Sequence, residues 1–200
     1  MKKYLILLFS IMLLFSFLGS ASAAIYNFSP SPSDLYDLDH YKYYTWGINS
    51  GGISDYEEIV SASLFIDDIY NWANEDNDIL YIHLLDLNKA GVTIYTDNQY
   101  YADAFSGQGV LLDDYTDIKD GWSYREDYTY YFDNEELNAL ISYASNDYFG
   151  FGFDPDCHYY NSGIKLTVVT SPVSEPATVL LLGTGLVGLS MFGRKRFFKK

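Results

Sequence analysis

Four short acidic phrases carry the clearest chemistry in this chain: Asp67-Asp68, Asp76-Asn77-Asp78, Asp113-Asp114 and Asp154-Pro155-Asp156. Carboxylate and amide oxygens at such close spacing suit a hard divalent cation, calcium above all. No EF-hand loop is present, because the ligand run with Gly at its sixth position and Glu at its twelfth is missing. A calcium site would therefore be assembled from separate loops, with Asp76, Asp78, Asp154 and Asp156 as the candidate ligands. Paired carboxylates are also what a glycosidase uses, but many acids in one chain do not single out a pair. There is no Gly-x-Ser-x-Gly elbow, His-Glu-x-x-His helix or phosphate-cradling glycine loop. The three histidines, His40, His83 and His158, show no metal-ligand spacing. Cys157 is the sole cysteine, so no intramolecular disulfide forms. Its neighbour His158 would point to the opposite face of an extended chain, and aromatic Phe149, Phe151 and Phe153 lie just upstream, so a buried thiol is expected. The expectation is a protein that is not an enzyme.

Aromatic side chains supply the second chemistry. Rings exposed on a β face stack on sugar rings, and adjacent Asp and Asn bond the hydroxyls. Trp46, Trp72, Trp122, Tyr43-Tyr44 and Tyr159-Tyr160 are the candidates. Trp72 and Trp122 sit among loop-forming residues, so these two are the expected sugar-binding positions, and a carbohydrate-binding, lectin-like module is the alternative to a structural role.

Charge narrows the partners. The chain has 27 Asp and Glu against 12 Lys and Arg, a net charge of -15, and seven of the basic residues lie at the two ends: Lys2, Lys3, Arg194, Lys195, Arg196, Lys199 and Lys200. The body between them keeps only Lys42, Lys89, Lys119, Arg125 and Lys165. So acidic a surface repels nucleic-acid phosphates and excludes a nucleic-acid partner, while attracting cations.

The elements that must position these groups read as strands. Residues 61–67 place Ala62, Leu64 and Ile66 on one face, and residues 79–85 place Leu80, Ile82 and Leu84 on one face with Tyr81 and His83 opposite. The polar stretch 71–78 between them predicts a hairpin or a sandwich corner. Residues 124–132 carry Tyr124, Tyr128, Tyr130 and Phe132 at even spacing, and residues 163–170 carry Ile164, Leu166 and Val168 on one face. In 149–153 phenylalanine alternates with glycine, which leaves one face bare for the close approach of another backbone, a neighbouring sheet or a ligand. Residues 133–141 break the pattern: Leu137, Leu140, Ile141 and Ala144 recur at helical spacing behind an Asp133 cap with Glu136 three residues on. The fold class is all-β, a single sandwich with one short helix across its end.

The ends read as targeting segments. Met1-Lys2-Lys3-Tyr4 precedes an uncharged apolar run over 5–18, short for a membrane span, and Ala21-Ser22-Ala23 offers small residues for signal peptidase. A signal peptide over 1–23, cut between Ala23 and Ala24, is expected. At the other end, residues 177–192 are mostly apolar and are followed by Arg194-Lys195-Arg196, which predicts a transmembrane helix with its basic end inside and the body outside.

Ser174-Glu175-Pro176-Ala177-Thr178, the glycine-containing apolar stretch and the Arg-rich end closely resemble the PEP-CTERM sorting signal. Only the first Pro of that motif differs, being Ser174 here. The resemblance implies recognition at Glu175 and Pro176 by an exosortase, a membrane protease that trims its substrates during export in Gram-negative bacteria that make exopolysaccharide. It implies an inner-membrane-anchored intermediate, then a cell-surface or extracellular protein associated with exopolysaccharide or biofilm. The phrase from Gly152 to Asn161 is similar to sandwich domains found before such tails, which implies a jelly-roll-like fold. The expected organisation is a signal peptide over 1–23, a β-sandwich over 24–171 and a sorting tail over 172–200.

Overall fold

The computed structural model describes residues 23–53, 57–72, 78–98, 101–117 and 124–173, together with Gly183 and Gly185. Ala23–Ser171 forms one compact unit. Its described residues form ten strands and one helix: β1 (Ala24–Phe28), β2 (Lys42–Asn49), β3 (Glu57–Asn71), β4 (Ile79–Leu85), β5 (Gly91–Thr96), β6 (Val110–Thr116), β7 (Glu126–Tyr131), α1 (Asn134–Ala144), β8 (Tyr148–Pro155), β9 (Tyr159–Tyr160) and β10 (Gly163–Pro172). The expected mostly-strand body with one short helix is what forms. Among the described residues no helix is long and apolar enough to cross a membrane. The segments expected as signal peptide and transmembrane tail lie outside the described residues, except Ala23 and Ala24, at the start of β1, and Gly183 and Gly185.

The strands build two five-stranded sheets. The first runs β1-β10-β3-β7 with β9 beside β3, and the second runs β5-β2-β8-β4-β6. Period-two alternation aims one face of each sheet at a shared core. Ala62, Leu64 and Ile66 of β3 and Ile164, Leu166 and Val168 of β10 face Leu80, Ile82 and Leu84 of β4 and Phe149, Phe151 and Phe153 of β8. Cys157 is buried in the same core. The β3–β4 connection is a corner between sheets, since these two strands belong to different ones. β3 runs past both ends of the predicted 61–67; at its C-terminal end a bulge between Ile66 and Ile69, with Asp68 at φ 50, lets it bend and pair with β7 at Ile69 and with β9 at Tyr70 and Asn71.

A body so poor in lysine and arginine pairs its carboxylates with tyrosine hydroxyls instead. The Tyr115 hydroxyl donates to Glu126 at 2.9 Å and Tyr26 to Glu57 at 2.7 Å, while Tyr128 donates to Asp113 and Tyr130 to Glu136. A neutral phenol gives a carboxylate its hydrogen bond without the desolvation cost of a second ion. Burial and these acceptors raise the pKa values of Tyr115, Tyr128 and Tyr130, keeping the donors protonated.

The helix starts where its cap predicts. Asp133 accepts from the backbone of Glu135 at 2.8 Å and Glu136 at 2.9 Å, and Glu136 accepts from the backbone of Asp133 at 2.8 Å, a complete capping box. Asp133→Ala should destabilise the protein by about 1 kcal/mol, read as a lower urea midpoint at unchanged slope.

Candidate functional site on the outer face of the second sheet

Gly152 faces outward from β8, and the segment between β5 and β6 closes over it. A Cβ on Gly152 would sit 2.7 Å from the Phe105 ring, so only glycine admits this cover. At Gly152 the bare face is approached by the chain's own loop, and at Gly150 by the backbone of β2 and by Leu87. Beneath it, His83 is 3% exposed, although alternation assigned it to the outward face with Tyr81. The assignment of face is right, and the loop accounts for the burial. His83 Nδ1 lies 3.2 Å from the Gln108 carbonyl and Nε2 lies 3.0 Å from Asp103 Oδ2. Both ring nitrogens face acceptors, the Gln108 carbonyl and the Asp103 carboxylate.

Asp154, two residues beyond Gly152, is 0% exposed. One carboxylate oxygen accepts the Ala104 N–H at 2.7 Å, while Oδ1 is buried with no hydrogen-bond partner. Burial first, and then the charges of Asp97, Asp156 and Asp103, push its pKa up to about 7 against the opposing Ala104 N–H. Burial and Asp97 push Asp156 to about 6. A carboxyl whose folded pKa is raised holds its proton while the unfolded chain ionises. The stability these two carboxyls contribute is therefore fully present below about pH 4 and is lost as the pH climbs through 6 and 7. Asp154→Asn should remove much of that decline, raising stability at pH 8 relative to wild type by a few kcal/mol while changing it little at pH 4. Melting curves across that range check it.

The expected calcium ligands divide. Asp154 and Asp156 come together with Asp97 and Asp103, two residues the sequence did not single out. Asp78 is buried and accepts from Asn71 Nδ2 at 2.9 Å, and Asp76 lies outside the described residues. Among the described residues, the groups whose ligand atoms lie within 4.8 Å of one another are two others: Asp67, Asp68 and Asp127, and Asp39, His40 and His158. The second joins two histidines whose sequence spacing gave no sign of it.

Beside the covering loop lies a half-open cleft of about 390 Å³, lined by Tyr43, Tyr95, Phe105, Tyr143, Asp86 and Gln108. Tyr43 and Tyr95 are cross-strand partners in the β2–β5 pair, with rings stacked 4.8 Å apart and 10° from parallel. Phe105 stands edge-on to Tyr43 at 5.4 Å. Of the aromatic positions picked from sequence, Trp72 is exposed at the end of β3 and Trp122 lies outside the described residues. Trp46, Tyr44 and Tyr159 are core residues. Tyr95 and Phe105 escaped sequence reasoning because neither sits in an aromatic pair; strand pairing brings Tyr95 to Tyr43, and the fold of the covering loop brings Phe105 there.

Residues 172–196 match the family model described as the PEP-CTERM protein-sorting motif. No curated protein matches the chain. The chain is therefore one that bears a PEP-CTERM sorting motif; Glu175, Pro176, Arg194, Lys195 and Arg196 fall within the match and outside the described residues.

Proposed function

We propose that this chain is an exported, exosortase-processed component of the envelope or extracellular matrix of a Gram-negative bacterium, with no enzymatic activity. The observation that carries the reading is the sorting motif at 172–196, placed directly after the last strand of a folded body. Signal peptidase and exosortase are its processing partners, the inner membrane holds it before trimming, and exopolysaccharide surrounds it afterwards. The strand orders β1-β10-β3-β7 and β2-β8-β4-β6 support a jelly roll with β5 added at one edge. Its strongly acidic surface keeps such a protein soluble among neighbours. The buried position of Asp154 supports a non-enzymatic reading, since a fully covered carboxyl meets no polysaccharide. Protease added to intact cells should digest the body while sparing a cytoplasmic control; a body that survives until the cells are lysed would overturn its exposure at the cell surface.

A second reading, carbohydrate binding, is favoured by the Tyr43–Tyr95 cleft, whose ring faces, Asp86 and Gln108 offer stacking and hydrogen bonds side by side. Tyr95→Ala should weaken retention on the producer's own exopolysaccharide roughly five- to tenfold, the equivalent of one lost stacking contact. Affinity electrophoresis reads this directly, and unchanged mobility in wild type with and without polysaccharide would remove the reading.

A further inference from the structure

Residues 35–38 form a left-handed turn built from residues that rarely adopt one: Leu35, Tyr36, Asp37 and Leu38 have φ values of 51, 61, 59 and 33. L-residues pay about 1–2 kcal/mol each for this conformation, so something must hold it. Leu35 and Leu38 are fully buried in the core, Asn161 Nδ2 donates to the Asp34 carbonyl at 2.9 Å, and the Asp39 N–H donates to the Tyr44 hydroxyl at 2.9 Å. The turn delivers Asp39 and His40 to the segment that joins β8 to β9, where His158 stands.

Here three ligand atoms, one from each of Asp39, His40 and His158, lie within 4.8 Å of one another. His40 Nδ1 is 3.9 Å from Asp39 Oδ1, and the two imidazole rings are 6.3 Å apart. Ligands on a tetrahedral zinc ion, with bonds of about 2.0–2.2 Å, sit roughly 3.3 Å apart, so closing this set requires side-chain shifts of the order of 1 Å. His158 Nε2 is buried without a hydrogen-bond partner, an orphaned imidazole nitrogen that a metal ion would satisfy. The carboxylate is already oriented as metal-bound carboxylates are: Oδ1 accepts the Tyr41 N–H at 3.2 Å and Oδ2 pairs with Lys42 at 3.1 Å. The rings are fixed as well, His40 against Tyr41 at 4.0 Å and His158 against Tyr160 at 4.5 Å.

We propose that Asp39, His40 and His158 form a binding site for a divalent transition-metal ion of the zinc class. Two imidazole nitrogens and one carboxylate select such an ion over calcium, which takes oxygen ligands throughout. Three protein ligands leave a coordination position for water or for a group from a partner. The ion would clip the strained turn before β2 to the β8–β9 segment, joining parts of the chain far apart in sequence.

The test is zinc binding to the full-length chain in detergent, read by competition against a chromophoric chelator, with Co²⁺ substitution giving a visible ligand-field spectrum. About one ion per chain is expected, with a raised melting temperature. His40→Gln and His158→Gln should each weaken binding at least about tenfold, and Asp127→Asn, in the separate acidic cluster, should leave it unchanged. Circular dichroism of the metal-free variants separates lost binding from lost folding, and the rise in wild-type melting temperature with zinc does not depend on any variant. Absence of zinc binding to wild type, or binding that survives in the His40→Gln/His158→Gln double variant, would overturn the site.

Discussion

Replacing Glu175 and Pro176 together with alanine should leave nearly all of the protein with its C-terminal tail attached and hold it in the membrane fraction. The expectation follows from the position of both residues inside the sorting motif. A protease that selects one site in a whole chain needs contacts that other sites lack, and a proline with its fixed φ beside a carboxylate supplies shape and charge together. Removing both leaves the apolar stretch and its basic end intact, so export and membrane insertion continue while trimming stops. The phenotype is thus accumulation of an untrimmed form rather than loss of the protein. Immunoblots of membrane and medium fractions measure it, and a variant trimmed as efficiently as wild type would show that recognition lies elsewhere in the tail.

The second large effect is on the fold. Phe151→Ala should cost about 3–5 kcal/mol, a large part of the roughly 5–15 kcal/mol that holds a domain together. Phe151 is 0% exposed at the centre of β8, the middle strand of the second sheet. Its ring lies on Trp46 at 5.5 Å and meets Phe132, Phe149 and Phe153 at 6.4, 6.5 and 6.2 Å. Truncation removes the apolar area and leaves a cavity walled by rigid rings, which cannot collapse to fill it. Urea denaturation of the purified protein gives the number; a loss below about 1 kcal/mol would mean that the aromatic stack is not central to the core.

Much of this architecture was legible residue by residue. The alternation in 79–85 returns as β4 with the same limits, the Phe-Gly repeat lies within β8, and Asp133 with Glu136 makes the predicted capping box. These are local signals, since strand faces and caps depend on residues within a few positions of each other. The sites were less legible because long-range pairing makes them. Nothing in the order of residues says that Phe105 will cover Gly152, that His83 will be buried by a loop over an outward face, or that Asp97 and Asp103 will join Asp154 and Asp156. Nor does it say that Tyr43 will stack on Tyr95. His40 and His158 are the sharpest case. They meet only because a left-handed turn of leucines, a conformation that propensities assign to glycine and asparagine, folds Asp39 and His40 back toward β9. The carboxylate–tyrosine pairs follow the same logic: the excess of acids was visible from composition, whereas the phenols come from strands that the fold brings beside those acids.

Intact-mass spectrometry of the protein from its native host, with and without a working exosortase, tests most directly the proposal that the tail holds the exported chain in the membrane and is then removed. The account predicts a mature species beginning near Ala24 and ending near Glu175, present in the wild-type strain and replaced by a heavier, tail-bearing species when the exosortase is absent. A species that keeps Arg194, Lys195 and Arg196 in both strains would contradict it and make the tail a plain membrane anchor.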